Sequence, residues 1–185
     1  MDLAQNLKDA EKQYEIGGGD YFKFEKGENK IRIMTIWEPL ATHFIETNGK
    51  TEGHVCFGKE DGCPYHDDKA PRDEKDQPKK PSVKFVTYIC DRKDNDLIKL
   101  ADLPYTVIKA VVALQKDEEY VFNEFPMPYD LKITYDPSQS GSAMYSMLPS
   151  AKRDSLPDFV IDGMINKKPI QHIVDEKKSK EAFGK

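Results

Sequence analysis

Apolar and polar positions alternate with a period of two along much of this chain, and each such run reads as a half-buried strand. Tyr21 to Trp37 (YFKFEKGENKIRIMTIW) predicts a hairpin that turns at Gly27-Glu28-Asn29. In its second strand Ile31, Ile33, Thr35 and Trp37 share one face, while Lys30, Arg32, Met34 and Ile36 share the other. That division suits a sheet whose outer surface is wet and basic. Ala41 to Ile45 reads as a further strand. Val83 to Arg92 (VKFVTYICDR) passes through Asp94-Asn95-Asp96 into Leu97 to Leu100, a second hairpin, with Lys84, Val86, Tyr88, Cys90 and Arg92 on one face. Tyr129 to Tyr135 and Ser142 to Leu148 make a third, joined by the flexible segment 136–141.

Helical spacing is rarer. Leu3, Leu7, Ala10 and Tyr14 form a stripe that Gly17-Gly18-Gly19 ends, which predicts a short arm over residues 1–19 on a flexible joint. An isolated helix of that length is marginal, so the arm needs its own domain or a neighbour to dock on. Val107, Ile108, Val111, Val112 and Leu114 predict a helix opened by Pro104. Leu156 to Ile165 predicts a last helix, and the lysine-rich end from Lys167 reads as a tail. The order is hairpin, strand, hairpin, helix, hairpin. It suits a mainly β fold with minor α, an OB-fold-like Greek-key barrel over residues 20–150 with an insertion at about 43–82, followed by 151–185 as helix and tail.

Composition changes this picture in three places. Residues 67–81 hold five acids, five bases and three prolines, a mixture that can bury little and reads as an exposed loop. No apolar run approaches the roughly 20 residues that span a bilayer, and the first residues are too polar for a signal peptide, so a cytoplasmic protein without membrane contact is expected. The net charge of −5 argues against duplex DNA bound by overall positive charge, although local patches still choose partners. Acids are dispersed in loops and no nucleophile–base pair stands out, so an enzyme is not expected.

One stretch concentrates the chemistry. His43 to His66 packs two of the three cysteines and three of the four histidines into 24 of 185 positions. The order H-x12-C-x6-C-x2-H offers His43, Cys56, Cys63 and His66 as a closed four-donor set for structural zinc, with Cys63-Pro64-Tyr65-His66 as a tight turn. His54 competes with His43 for one position. His43 is preferred because its flanks look like a strand, whereas His54 sits among Gly, Thr, Lys and Glu. Three cysteines, an odd count, argue against a disulfide framework, and Cys90 reads as a buried apolar filler.

The run Phe22-Lys23-Phe24, Gly27 to Ile33 (GENKIRI), His43, Cys56 and Cys63 to His66 resembles the single-stranded DNA-binding, helix-destabilising proteins of T-even and related phages. The similarity extends through the strand at Val83, the helix after Pro104 and Asp130-Leu131-Lys132-Ile133, covering roughly residues 20–148. It implies structural zinc on an OB-fold, with the twelve-residue gap favouring His43, and a role in phage DNA replication, recombination or repair. His66 stands where that family has cysteine, and both are ordinary zinc ligands. The arm at 2–15, with four acids and two lysines, departs from the family's basic arm, which drives self-association on DNA. The lysine-rich end likewise departs from the family's acidic tail, which recruits replication proteins.

Non-specific strand binding needs cations that track phosphates and aromatic faces on which bases stack. The phosphate candidates are Lys30, Arg32, Lys84, Arg92 and Lys132, and the stacking candidates are Tyr88, Phe44, Trp37 and Tyr145. The competing expectation is a zinc-stabilised OB-fold module that docks other proteins.

Overall fold

The structure is a computed structural model and describes residues 21–47, 49–66, 72, 78–151 and 154–183. The expected N-terminal arm and glycine joint, and most of the charged loop at 67–81, lie outside the described residues. Seven antiparallel strands form one sheet: β1 Gly27–Ile33, β2 Glu38–Thr47, β3 Lys50–Val55, β4 Ser82–Asp91, β5 Leu97–Pro104, β6 Leu131–Tyr135 and β7 Tyr145–Pro149. Among the described residues three helices accompany them: α1 Tyr105–Leu114, α2 Asp158–Met164 and α3 Ile170–Ala182. The mainly β fold with minor α is therefore the one the alternation implies.

β4 is the spine. On one edge it pairs with β2 through Ser82 to Val86 and then with β1 through Ile89 to Asp91, and on the other edge with β5 along Lys84 to Asp91. Between Ile33 and Glu38 the first strand inserts residues 34–37 against only Thr87 and Tyr88, a bulge that bends the sheet. Thr87 clasps it by donating its hydroxyl to the Thr35 carbonyl at 2.9 Å. β6 and β7 extend the sheet from β1.

The sheet does not close into a barrel. Phe22 donates its N–H to the Leu100 carbonyl on β5 at 2.8 Å, and Phe24 packs on Tyr145 of β7 with ring centroids 5.2 Å apart. Side chains rather than a ladder fill the space between those strands. The expected first hairpin is corrected here: Tyr21 bridges Leu100 instead of pairing with β1. Asn29 supplies the reason, because its side chain accepts from the Glu25 N–H at 2.9 Å and donates to the Glu25 carbonyl at 2.8 Å. That local clasp turns the chain away without a ladder.

Both faces of the sheet are covered. One core joins Ile31, Ile33, Ile89, Leu103, Leu131 and Ile133 to Val107, Ile108 and Val111 of α1. A second core joins Met34, Leu40, Val86, Tyr88 and Cys90 to Val160 of α2 and Ile170 and Val174 of α3. The wet, basic outer face expected for the first strands is thus dry where α2 and α3 lie. The expected tail from Lys167 is also corrected: it is mostly helix α3, because Ile170, Ile173 and Val174 make a short apolar stripe beneath a lysine-rich exterior. Two smaller differences remain. Residues 142–144 belong to a 3-10 turn before β7, and His54 sits in strand β3 rather than in a loop.

Candidate metal centre and nucleic-acid interface

β2 and β3 form a hairpin whose register places His43 opposite His54. Beyond β3 the chain folds back as a clip. Cys56 donates its N–H to the Ala41 carbonyl at 2.8 Å, and Cys63 donates to the Gly58 carbonyl at 2.9 Å. Gly58 has φ +112°, a backbone conformation that L side chains rarely adopt. Pro64–His66 then forms a single 3-10 turn that points His66 back toward Cys56.

These turns gather His43, Cys56, Cys63 and His66 so that their ligand atoms all lie within 4.8 Å of one another. Cys56 Sγ is 3.0 Å from His66 Nε2, and the His43 and His66 rings meet edge to face at 4.8 Å. A tetrahedral ion with bonds of about 2.0–2.3 Å holds its donors about 3.3–3.8 Å apart, so small shifts that draw in the wider pairs and part the closest one would seat it. The fit rests on an orphan: His43 is 1 % exposed, yet neither ring nitrogen has a hydrogen-bond partner. A buried imidazole without partners is costly unless something accepts its lone pair. Burial, then the neighbouring His66 and His54, hold its pKa below the usual histidine value, which keeps the ring neutral and able to ligate. Burial likewise pushes the Cys56 thiol up, so its thiolate calls for a nearby cation. The four residues could hold a metal ion.

His54 is engaged elsewhere. Its Nδ1 lies 2.8 Å from Glu181 Oε1 of α3, and its ring lies over Tyr65 at 4.7 Å. The geometry sides with His43 for the fourth donor.

The strand-binding candidates do not gather on one surface. Arg32 is 3 % exposed and donates from Nε to Asp130 Oδ1 at 2.7 Å and from Nη1 to the Asp154 carbonyl at 2.7 Å. Lys30 and Arg92 reach the other Asp130 oxygen at 3.1 and 3.2 Å. These three cations converge on one buried carboxylate instead of forming an open phosphate row. Tyr88 is buried in the second core, with Lys167 Nζ 5.9 Å from its ring centroid. Trp37 packs on the first core, edge to face with Phe125 at 6.0 Å. Phe44 is 49 % exposed beside the clip hairpin, opposite Gly53. Lys132 is exposed, opposite Lys30 on β1 and Leu148 on β7.

Lys84 and Tyr145 do share one cleft. They line a cleft of about 220 Å³ together with Lys23, Phe24, Tyr135 and Asp102. Tyr145 stacks on Tyr135 at 5.1 Å with the rings inclined by 23°. Sequence reasoning missed Lys23, Tyr135 and Asp130. Tyr135 stands opposite Tyr145 in the β6–β7 register, because the 3-10 turn at Gly141–Met144 takes up the residues that the predicted hairpin put at the start of its second strand. Asp130 is an acid in an otherwise apolar and basic strand run, and that oddity was its signal.

No protein-family model matches the chain, and no curated protein sequence matches it. No helix among the described residues is long and apolar enough to cross a membrane.

Proposed function

We propose that this chain binds single-stranded DNA without sequence preference, on a fold braced by structural zinc, in the replication, recombination or repair of DNA. The observation that supports it most is the cleft in which Lys84 of β4 and Tyr145 of β7 come together with Lys23 and Tyr135. Cations beside aromatic rings are what a flexible phosphodiester with unstacked bases requires. Zinc is the ion that best suits two thiolates and two imidazoles in a closed set, with no position left for catalytic water.

Titration of the intrinsic Trp37 and tyrosine fluorescence with oligo-dT, at low and high salt and beside a duplex of equal length, tests this reading. Tight binding of the single strand that weakens with salt is expected. Absence of binding at low salt would refute it. A second reading, a zinc-braced module that docks proteins, is favoured by the exposed apolar side chains at α2, where Phe159 is 61 % and Ile165 is 76 % exposed.

A further inference from the structure

His54, the histidine left out of the donor set, joins the clip to the C-terminal helix. Its contact with Glu181 ends a run of touching rings: His66 on His43 at 4.8 Å, His43 on Tyr65 at 5.6 Å, and Tyr65 on His54 at 4.7 Å. One turn earlier on the same side of α3, Lys177 Nζ stands 5.7 Å from the Tyr21 ring centroid and 3.8 Å from Asp102 Oδ1. Tyr21 and Asp102 both line the cleft that holds Lys84 and Tyr145. Helix α3 therefore touches the clip hairpin through Glu181 and a wall of the cleft through Lys177. Ile170 and Val174 seat its first half in the second core, and its second half makes these polar contacts through half-buried Lys177 and Glu181.

We propose that His54 and Glu181 are positioning residues that tie α3 to the clip, so that a metal ion held by the clip fixes the Lys177–Tyr21 wall of the cleft. The four donors pulled onto one ion give the His43, Tyr65 and His54 rings a single arrangement. Without it, residues 56–66 are held by turn hydrogen bonds such as Gly62 N–H to the Lys59 carbonyl. The part of this inference that concerns the cleft rests on the strand-binding reading above. Coupling between two sites is reciprocal, so strand binding must also raise the affinity for the ion by the same factor.

The test measures hydrogen exchange over residues 170–182 and oligo-dT affinity, each with the metal present and after a chelator has removed it. In the wild type, removal should speed α3 exchange and weaken oligo-dT binding about tenfold, a typical size for such coupling. His54→Ala should keep one metal ion per chain, show fast α3 exchange and weak binding in both states, and lose the oligo-dT-induced gain in metal affinity. Glu181→Gln, which retains a hydrogen-bonding partner for the ring, should restore most of the wild-type behaviour. Equal α3 exchange in loaded and stripped wild type would overturn the tie. Changed exchange with unchanged affinity would overturn its reach to the cleft. A loaded wild type that binds no oligo-dT would overturn the strand-binding reading and that reach together, while exchange would still decide the tie.

Discussion

Arg32 on β1 donates to Asp130 at 2.7 Å across the edge of β6, and both side chains are buried. The second nitrogen of the fork holds the Asp154 carbonyl at 2.7 Å, on the segment that leads from β7 to α2. Arg32 therefore pins the segment that leads into α2 to the sheet. Lys30 and Arg92 reach the same carboxylate, so removing it leaves the Arg32 guanidinium buried without a counter-charge, while Arg92 keeps Asp96 at 2.8 Å. Asp130→Ala should cost about 3–5 kcal/mol, the usual size for breaking a buried ion pair. Urea denaturation measures this. Replacing both partners, as in Arg32→Met with Asp130→Leu, should recover part of the loss, because no buried charge then remains in that pair. A double variant as weak as the single one would contradict this account.

The metal centre makes a separable claim. His43→Ala or Cys63→Ser should lose metal, whereas His54→Ala and Cys90→Ser should retain one ion per chain by elemental analysis. At a free-ion concentration about a thousandfold above Kd the ion stabilises the fold by about 4 kcal/mol. With each kcal/mol shifting Tm by about 2–4 °C in a chain of this size, a chelator should lower Tm by roughly 10 °C. An unchanged Tm would count against a structural ion.

The clip was legible because its donors lie close in sequence. H-x12-C-x6-C-x2-H closes with one hairpin and one turn, so the proximity of the four ligand atoms follows from local geometry that spacing can encode. Asp130 illustrates the opposite case. Its partner Arg32 is 98 residues away, and only the β1–β6 register brings them together. The alternation along β4 correctly separated its faces, but period two cannot tell a solvated face from one that a later helix covers. Tyr88 read as wet for that reason, and Arg32 did so because Asp130 and the Asp154 carbonyl, its partners, are distant in sequence. Helix α3 was hidden by lysines whose stems and ammonium groups surround a stripe of only Ile170, Ile173 and Val174.

Tyr21 gives the fold an alkaline limit. Burial, followed by a hydrogen bond to Asp102 and the charge of that carboxylate, pushes its pKa far above the ordinary value. In the unfolded chain the phenol ionises near pH 10. The folded state then binds the extra proton, so this contribution is complete below about pH 10 and is lost as pH rises beyond it. Tyr21→Phe should flatten the decline of stability above pH 10, as urea midpoints at a series of pH values would show. An identical decline in the variant would remove Tyr21 from the explanation.

Lys84 and Tyr145 separate the two forces expected in the cleft. Lys84 is exposed on β4, and no ion pair among the described residues engages its ammonium group. Lys84→Ala should weaken oligo-dT binding and reduce the slope of log affinity against log salt by about 0.7, the value for one phosphate contact on a single strand. Tyr145→Ala should cost about 1–3 kcal/mol of binding through lost stacking and leave that slope unchanged. Arg32→Ala should instead lower the urea midpoint, because its fork holds Asp130 and Asp154 within the fold. If Lys84→Ala left the slope untouched while Arg32→Ala reduced it without loss of stability, the phosphate path would have to run over β1, and the cleft would not be the binding surface.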